Sequence, residues 1–313
     1  MNFGSSYPVE KSDLVNLKSL LKASIYAAEV GGKKVVDGKK HELNIKSKGK
    51  TQEGANDPVT DADYASHCVM YYGLKNTFPK LNVVSEEHSK GDSACENQPV
   101  IDFSKNNQLD LIDFMNDELV YARDVTIWID PLDATQEYTE ALYQYVTTMV
   151  CVAIRGVPII GVIHYPFSSR TYWGWFTKRY SINMPVVEHK EENKEHPTVI
   201  VSRSHAGKVI NLAKEAFGEK TTVESAAGAG YKVMAVVNGT ADVYLHATAI
   251  KKWDICAGDA IIKSVGGKMT TSNGDLINYS SDSEVKVTDG ILVTRYDHEY
   301  YLSKIPNVIE SMH

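Results

Sequence analysis

Six consecutive residues, Asp130-Pro131-Leu132-Asp133-Ala134-Thr135, bring two carboxylates, a stiff turn and a hydroxyl into one short stretch. Pro131 fixes its own φ and has no amide proton to give. Both carboxylates and the Leu132 carbonyl can then face one side and hold cations. All-oxygen ligands select magnesium, calcium or manganese over zinc. The next two amides, at Ala134 and Thr135, can meet a phosphate oxygen at a helix start. An Asx-type turn would use the same residues with no ligand at all. Other carboxylates stand at similar places: Asp61 and Asp63, Glu86 and Glu87, and Asp254. None is specific alone, because Asp at a helix start is commonly a cap and a Glu pair commonly solvated surface. Together they describe a cation site that can neutralise a phosphate ester, acidify a bound water and stabilise a departing alkoxide.

A second group of donors lies later in the chain. Ser202, Arg203, Ser204 and His205 follow a predicted strand and precede a predicted helix. They suit a second phosphate or a ribose, although His205 alone serves equally well as a helix cap. Gly228, Ala229 and Gly230 form a Gly-rich turn that opens a helix with Lys232 in its first turn. Such a turn is a weak phosphate signal by itself and a stronger one beside Arg203. Lys251 and Lys252 precede Asp254 and can offset its charge.

The elements that must position these groups follow from periodicity. Leu14, Leu17, Leu21 and Ile25 predict a long first helix, capped by Ser12 or Asp13 and ending near Gly31-Gly32 or running weakly beyond. Lys46 to Gly54 reads as a loop, and Thr60 caps a helix over Asp61 to Phe78. A strand over Leu81–Ser85 delivers Glu86, and Thr126–Ile129 runs into Asp130. Thr147–Ile154 and Val157–His164 form a hairpin around Arg155-Gly156. Residues 90–124 are an acidic insertion with one helix near Leu109–Leu119 and no assigned role. Beyond a charged link near residue 190 the pattern becomes α/β, with Trp253–Val265 a helix stopped by Gly266-Gly267. The expected division is a metal-binding α+β half over 1–190 and a pocket-shaping α/β half over 191–313, packed as one compact unit.

Whole-chain features narrow the partners. The 313 residues carry a formal net charge of -7, which argues against a nucleic-acid polymer. A phosphorylated substrate therefore needs a local reversal of the field, which divalent cations supply. No apolar run is long enough for a transmembrane helix. Cys68, Cys95, Cys151 and Cys256 are far apart and form no metal-binding spacing, so thiols are expected rather than a disulfide framework. Two N-glycosylation triplets, Asn238-Gly239-Thr240 and Asn278-Tyr279-Ser280, are present. An oligomer is compatible with all of this.

Asp130-Pro-Leu-Asp-Ala-Thr135, with Glu86-Glu87 upstream and Trp253-Asp254-Ile-Cys-Ala-Gly258 downstream, resembles the signatures of the inositol monophosphatase-like superfamily over residues 12–305. The longer string Trp128 to Glu140, with Val201-Ser-Arg-Ser-His205, Gly228-Ala-Gly-Tyr-Lys232 and Lys251-Lys-Trp-Asp254, resembles its bisphosphate nucleotidase branch. The resemblance implies a layered α/β/α/β/α sandwich and a lithium-inhibited, magnesium-dependent phosphatase with two or three Mg2+ per site. It implies that Glu86, Asp130 and the Leu132 carbonyl bind one ion and that Asp130, Asp133 and Asp254 bind a second. Asp63 assists a third and, with Thr135, activates water. Ala134 and Thr135 meet the phosphate, while Ser202 to His205, Gly228 to Gly230 and Lys232 hold the rest of a nucleotide bisphosphate. Where many members have Gly, this chain has Ala134, and its amide is retained. The implied reaction releases the 3′-phosphate of 3′-phosphoadenosine 5′-phosphate. The alternatives are an inositol phosphate substrate or a non-catalytic sensor. The implied compartment is the Golgi lumen if an N-terminal anchor is missing from this chain, and the cytoplasm otherwise.

Overall fold

The computed structural model describes residues 13–40, 44–50, 56–87, 93–102, 110–185, 187–188, 194–203 and 206–305. The first helix is Leu17–Gly38. Its cap is Asn16, whose side chain accepts the Lys18 amide, rather than Ser12 or Asp13. Residues Leu14–Asn16 instead form a short strand against Leu119–Tyr121. Of the two expected ends, the helix takes the second and runs beyond Gly31-Gly32. A Cβ at Gly31 would lie 2.3 Å from Met70 Sδ, and one at Gly32 would lie 2.5 Å from His164 Cδ2. These glycines admit close packing inside a continuing helix.

This helix and Asp61–His67 cover one face of a six-stranded sheet. The strand order is Arg179–Tyr180, Arg170–Trp175, Val157–Tyr165, Thr147–Ile154, Val125–Asp133 and Asn82–Ser85. All neighbours are antiparallel except Asn82–Ser85, which runs parallel to Val125–Asp133. Helices Ala229–Val237 and Lys252–Ser264 lie in the middle layer, packed with Trp128, Met149 and Cys151 on one side and Tyr244 and Val293 on the other. The second sheet has the order Thr222–Ala226, Thr198–Ser202, Val243–His246, Ile291–Thr294 and Lys268–Thr271. Val209, Leu212 and Phe217 of helix Ala206–Phe217 and Tyr301 of His298–Leu302 pack on its outer face. The result is the expected five-layer α/β/α/β/α sandwich.

Further expectations are corrected. Residues 46–50, read as loop, belong to the strand Ile45–Lys50, paired antiparallel with Asn56–Thr60 across a register shift at Ser47/Gly49. Ile45 to Gly49 are all exposed, so no buried face dictates alternation in this strand, while its partner strand buries Val59. Residues 51–55 of that stretch lie outside the described residues. The cysteines are not thiols: Cys68 pairs with Cys95 and Cys151 with Cys256, at sequence separations of 27 and 105. Spacing carries no trace of such pairs, because packing of the middle helix on the sheet is what brings Cys256 to Cys151. In the acidic insertion, short helices occupy Ser93–Glu96 and Asp110–Asp113; residues 103–109 are outside the description.

Candidate active site

The carboxylates converge where the strand Val125–Asp133 ends. Glu86, directly after Asn82–Ser85, is fixed by its amide donating to the Ile129 carbonyl at 3.1 Å. Asp254 is the third residue of helix Lys252–Ser264 and accepts the Lys251 amide at 3.1 Å. Oxygens of Glu86, Asp130 and Asp254 lie within 4.8 Å of one another. Asp130 is 1% exposed, and its Oδ1 accepts the Leu132 amide at 3.1 Å. Burial, then Glu86, Asp133 and Asp254, raise the Asp130 carboxyl well above the ordinary range. Burial first, with Glu86 and Asp133, does the same to Asp254. Such a cluster resists full ionisation unless positive charge enters it. Its all-oxygen donors fit a hard divalent cation.

Asp133 faces the other way along the same turn. Its oxygens accept the Ala229 amide at 3.1 Å, the Gly230 amide at 2.9 Å and the Thr147 hydroxyl at 3.1 Å. Burial nevertheless keeps its carboxyl raised. Gly230 must lack a side chain, since a Cβ there would stand 2.7 Å from Thr147 Oγ1. Gly228 has φ +70, and a Cβ there would lie 2.6 Å from the Tyr145 carbonyl oxygen. Ala134 occupies left-handed backbone, φ 68 and ψ 47, at the start of helix Thr135–Thr139. A non-glycine residue there stores on the order of 1 kcal/mol.

Asp63 serves two elements at once. Its Oδ2 accepts the Thr60 amide at 2.7 Å and the Thr60 hydroxyl at 2.6 Å, closing the capping box of Asp61–His67. Its Oδ1 accepts the Thr135 hydroxyl at 3.0 Å, and that hydroxyl also lies 3.1 Å from the Leu132 carbonyl. Burial outweighs these bonds and pushes the Asp63 carboxyl up to about 7.

The second donor group is arranged differently from a row of free cations. Arg203 is held by Glu140 at 2.9 Å and Glu137 at 3.4 Å. The Ser202 hydroxyl is 3.1 Å from His246 Nδ1. Ser204 and His205 lie outside the described residues. Lys232 is 3% exposed and donates to the Gly228 carbonyl at 2.8 Å. Burial lowers its ammonium to about 8 despite Asp133, Glu137 and Asp254. Two neighbours were missed by the motif reading, Lys48 and Thr147. Lys48 reaches both Glu86, at 3.0 Å, and Glu87. Burial works to lower the Lys48 ammonium, but the two glutamates outweigh it and hold it above its ordinary value. Neither Lys48 nor Thr147 carried a local signal.

A model of the inositol monophosphatase family matches residues 16–310. The chain belongs to that family. Among its relatives is the inositol monophosphatase 3 of Danio rerio, 46% identical over 300 residues, covering 93% of this chain and 85% of that protein. Another is the Golgi-resident adenosine 3′,5′-bisphosphate 3′-phosphatase of Mus musculus, 42% identical over 308 residues, covering 96% and 84%. Solved structures share the family fold. The Thermotoga maritima IMPase superposes with a TM-score of 0.69 at 18% identity, covering 94% of this chain and 100% of that one. CysQ from Bacteroides thetaiotaomicron gives 0.63 at 20% identity, covering 90% and 98%.

Proposed function

We propose that this family member is a magnesium-dependent phosphomonoesterase that removes the 3′-phosphate of adenosine 3′,5′-bisphosphate, leaving AMP and phosphate. The observation that carries the chemistry is the convergence of Glu86, buried Asp130 and Asp254 within 4.8 Å of one another. These residues, with the Leu132 carbonyl and Asp133, would hold the ions, and Asp63 would assist. When bound, magnesium offsets the charge of the ester and lowers the pKa of a bound water. Thr135 and Asp63 hold and take up the proton of the attacking water, a role supported by their mutual hydrogen bond. A protein that only sensed nucleotide or metal is free to lose the water-activating hydroxyl, and this chain keeps it. Ala134 and Thr135 amides receive the transferred phosphate at the start of their helix. Ser202, Arg203, the Gly228–Gly230 turn and Lys232 form the side that takes the adenosine and its 5′-phosphate; Ser204 and His205 join this reading from their sequence position only. In this reading residues 1–190 supply most of the metal ligands, and residues 191–313 shape the pocket and add Asp254. The relative named for adenosine 3′,5′-bisphosphate and its Golgi residence support both substrate and a lumenal setting. Among the described residues no helix is long and apolar enough to cross a membrane.

A second reading, an inositol phosphate phosphatase, is favoured by the relatives named inositol monophosphatase 3. Phosphate release from adenosine 3′,5′-bisphosphate and from inositol 1-phosphate, each with and without magnesium, separates the two. The nucleotide should be the faster substrate, activity should require the cation, and lithium should inhibit. Preference for the inositol ester would replace the nucleotide reading with the second one.

A further inference from the structure

Both glycosylation triplets stand at exposed turns, and one of them is shaped for modification. Asn238 follows helix Ala229–Val237 as its C-terminal cap and is exposed. Its Oδ1 accepts the Thr240 amide at 2.9 Å and the Thr240 hydroxyl at 2.8 Å. Among the described residues Nδ2 donates to nothing, so the amide nitrogen is available. Asn278 makes the same turn with Ser280, at 3.0 and 2.9 Å. It is wedged, however, against the Arg155-Gly156 turn: a Cβ at Gly156 would stand 2.0 Å from Asn278 Oδ1. The middle residue of that triplet, Tyr279, is wholly buried.

The cysteines say which chemistry the chain meets. All four are paired, and none is free. Disulfides persist in oxidising compartments and are rare in the reducing cytosol, and the oxidising secretory route is where Asn-x-Ser/Thr triplets receive sugar. From the paired cysteines and the open Asn238 turn together, we infer that Asn238 is an N-glycosylation site. The donor is a lipid-diphosphate-linked oligosaccharide. A bond forms between Asn238 Nδ2 and the anomeric carbon, and the bond from that carbon to the diphosphate oxygen breaks. The amide loses one proton, the lipid diphosphate leaves, and nothing is oxidised or reduced.

The position suits a bulky addition. Gly230, which binds Asp133 at the candidate site, and Asn238 are at opposite ends of one helix. At about 1.5 Å per residue they are roughly 12 Å apart along its axis. A glycan on Asn238 therefore projects from the end of the helix away from the carboxylates and leaves turnover unchanged.

The test is made on the full-length protein isolated from its own cells. Treatment with peptide-N-glycosidase in 18O-water, followed by peptide mass mapping, should find residue 238 converted to 18O-labelled aspartate. Wild type should gain electrophoretic mobility on deglycosylation, whereas Asn238→Gln should not. Thr240→Ala removes the triplet while keeping the asparagine and serves if Asn238→Gln fails to fold. Phosphate release should be the same before and after sugar removal, whichever ester is the substrate. Unmodified Asn238, or sugar on Asn278 alone, overturns the assignment.

Discussion

The Thr135 hydroxyl sits 3.0 Å from Asp63 Oδ1 and 3.1 Å from the Leu132 carbonyl oxygen. One proton cannot serve both acceptors fully, and Asp63 is the more basic of the two. The hydroxyl proton is thus directed to Asp63, which orients the Thr135 oxygen. Thr135→Ala should lower kcat by about 10²–10⁴-fold, the usual worth of a positioned proton-transfer group, with KM little changed. Thr135→Ser should restore most of the rate. Steady-state kinetics on the three proteins decide it; a loss confined to KM would remove Thr135 from the chemistry.

Asp130 is buried among like charges, so its removal should separate function from stability. Asp130→Asn should bring turnover to near background. Without metal, the same substitution should raise the melting temperature, because it relieves repulsion with Glu86, Asp133 and Asp254. Wild type should gain much more thermal stability from added magnesium than the variant. Near-normal activity in Asp130→Asn at saturating magnesium would end its assignment as an ion ligand.

Arg203 tests the nucleotide side. A charged hydrogen bond is typically worth about 1.5–3 kcal/mol, and about 1.4 kcal/mol is tenfold. Arg203→Ala should therefore lower kcat/KM for adenosine 3′,5′-bisphosphate by about 10- to 100-fold and leave inositol 1-phosphate nearly unaffected. Equal losses on both esters would make Arg203 a support for Glu137 and Glu140 instead.

Acid should weaken the fold through buried histidines. Burial lowers His298 to about 4, between the Thr270 and Thr294 hydroxyls at 3.0 Å each, and lowers His164 to about 4. Both are neutral when folded, and the unfolded chain binds their protons from about pH 6.5 downward. The histidine contribution is therefore complete above about 6.5 and declines as pH falls toward 4, while the raised Asp63, Asp130 and Asp254 carboxyls gain protons and act in the opposite sense. Urea midpoints of wild type and His298→Gln measured between pH 7.5 and 4.5 isolate the histidine: the variant should gain on wild type as pH falls. A difference between the two proteins that is independent of pH over that range would contradict the burial of a neutral His298.

How far the site could be read from sequence depended on distance along the chain. Asp130, Asp133 and Thr135 are contiguous, so a single turn announces them. The helix starts at Thr60 and Lys251 are equally local, and Asp63 and Asp254 come with them. Lys48 could not be found this way. It acts from an exposed strand with no apolar alternation, and its partners Glu86 and Glu87 are 38 and 39 residues away. The Cys151–Cys256 pair, separated by 105 residues, is likewise set by layer packing rather than by local pattern.

The amides of Ala229 and Gly230 reach back 96 and 97 residues to Asp133. During synthesis, then, the emerging chain carries an incomplete and electrostatically frustrated cluster until the second sheet's first crossover has been made. Asp254 arrives later still. With the ligands proposed above, a message cut short before the Asp254 codon would yield an inert product whatever its fold. Turnover is switched on late, by the closing of the longest loops in the molecule.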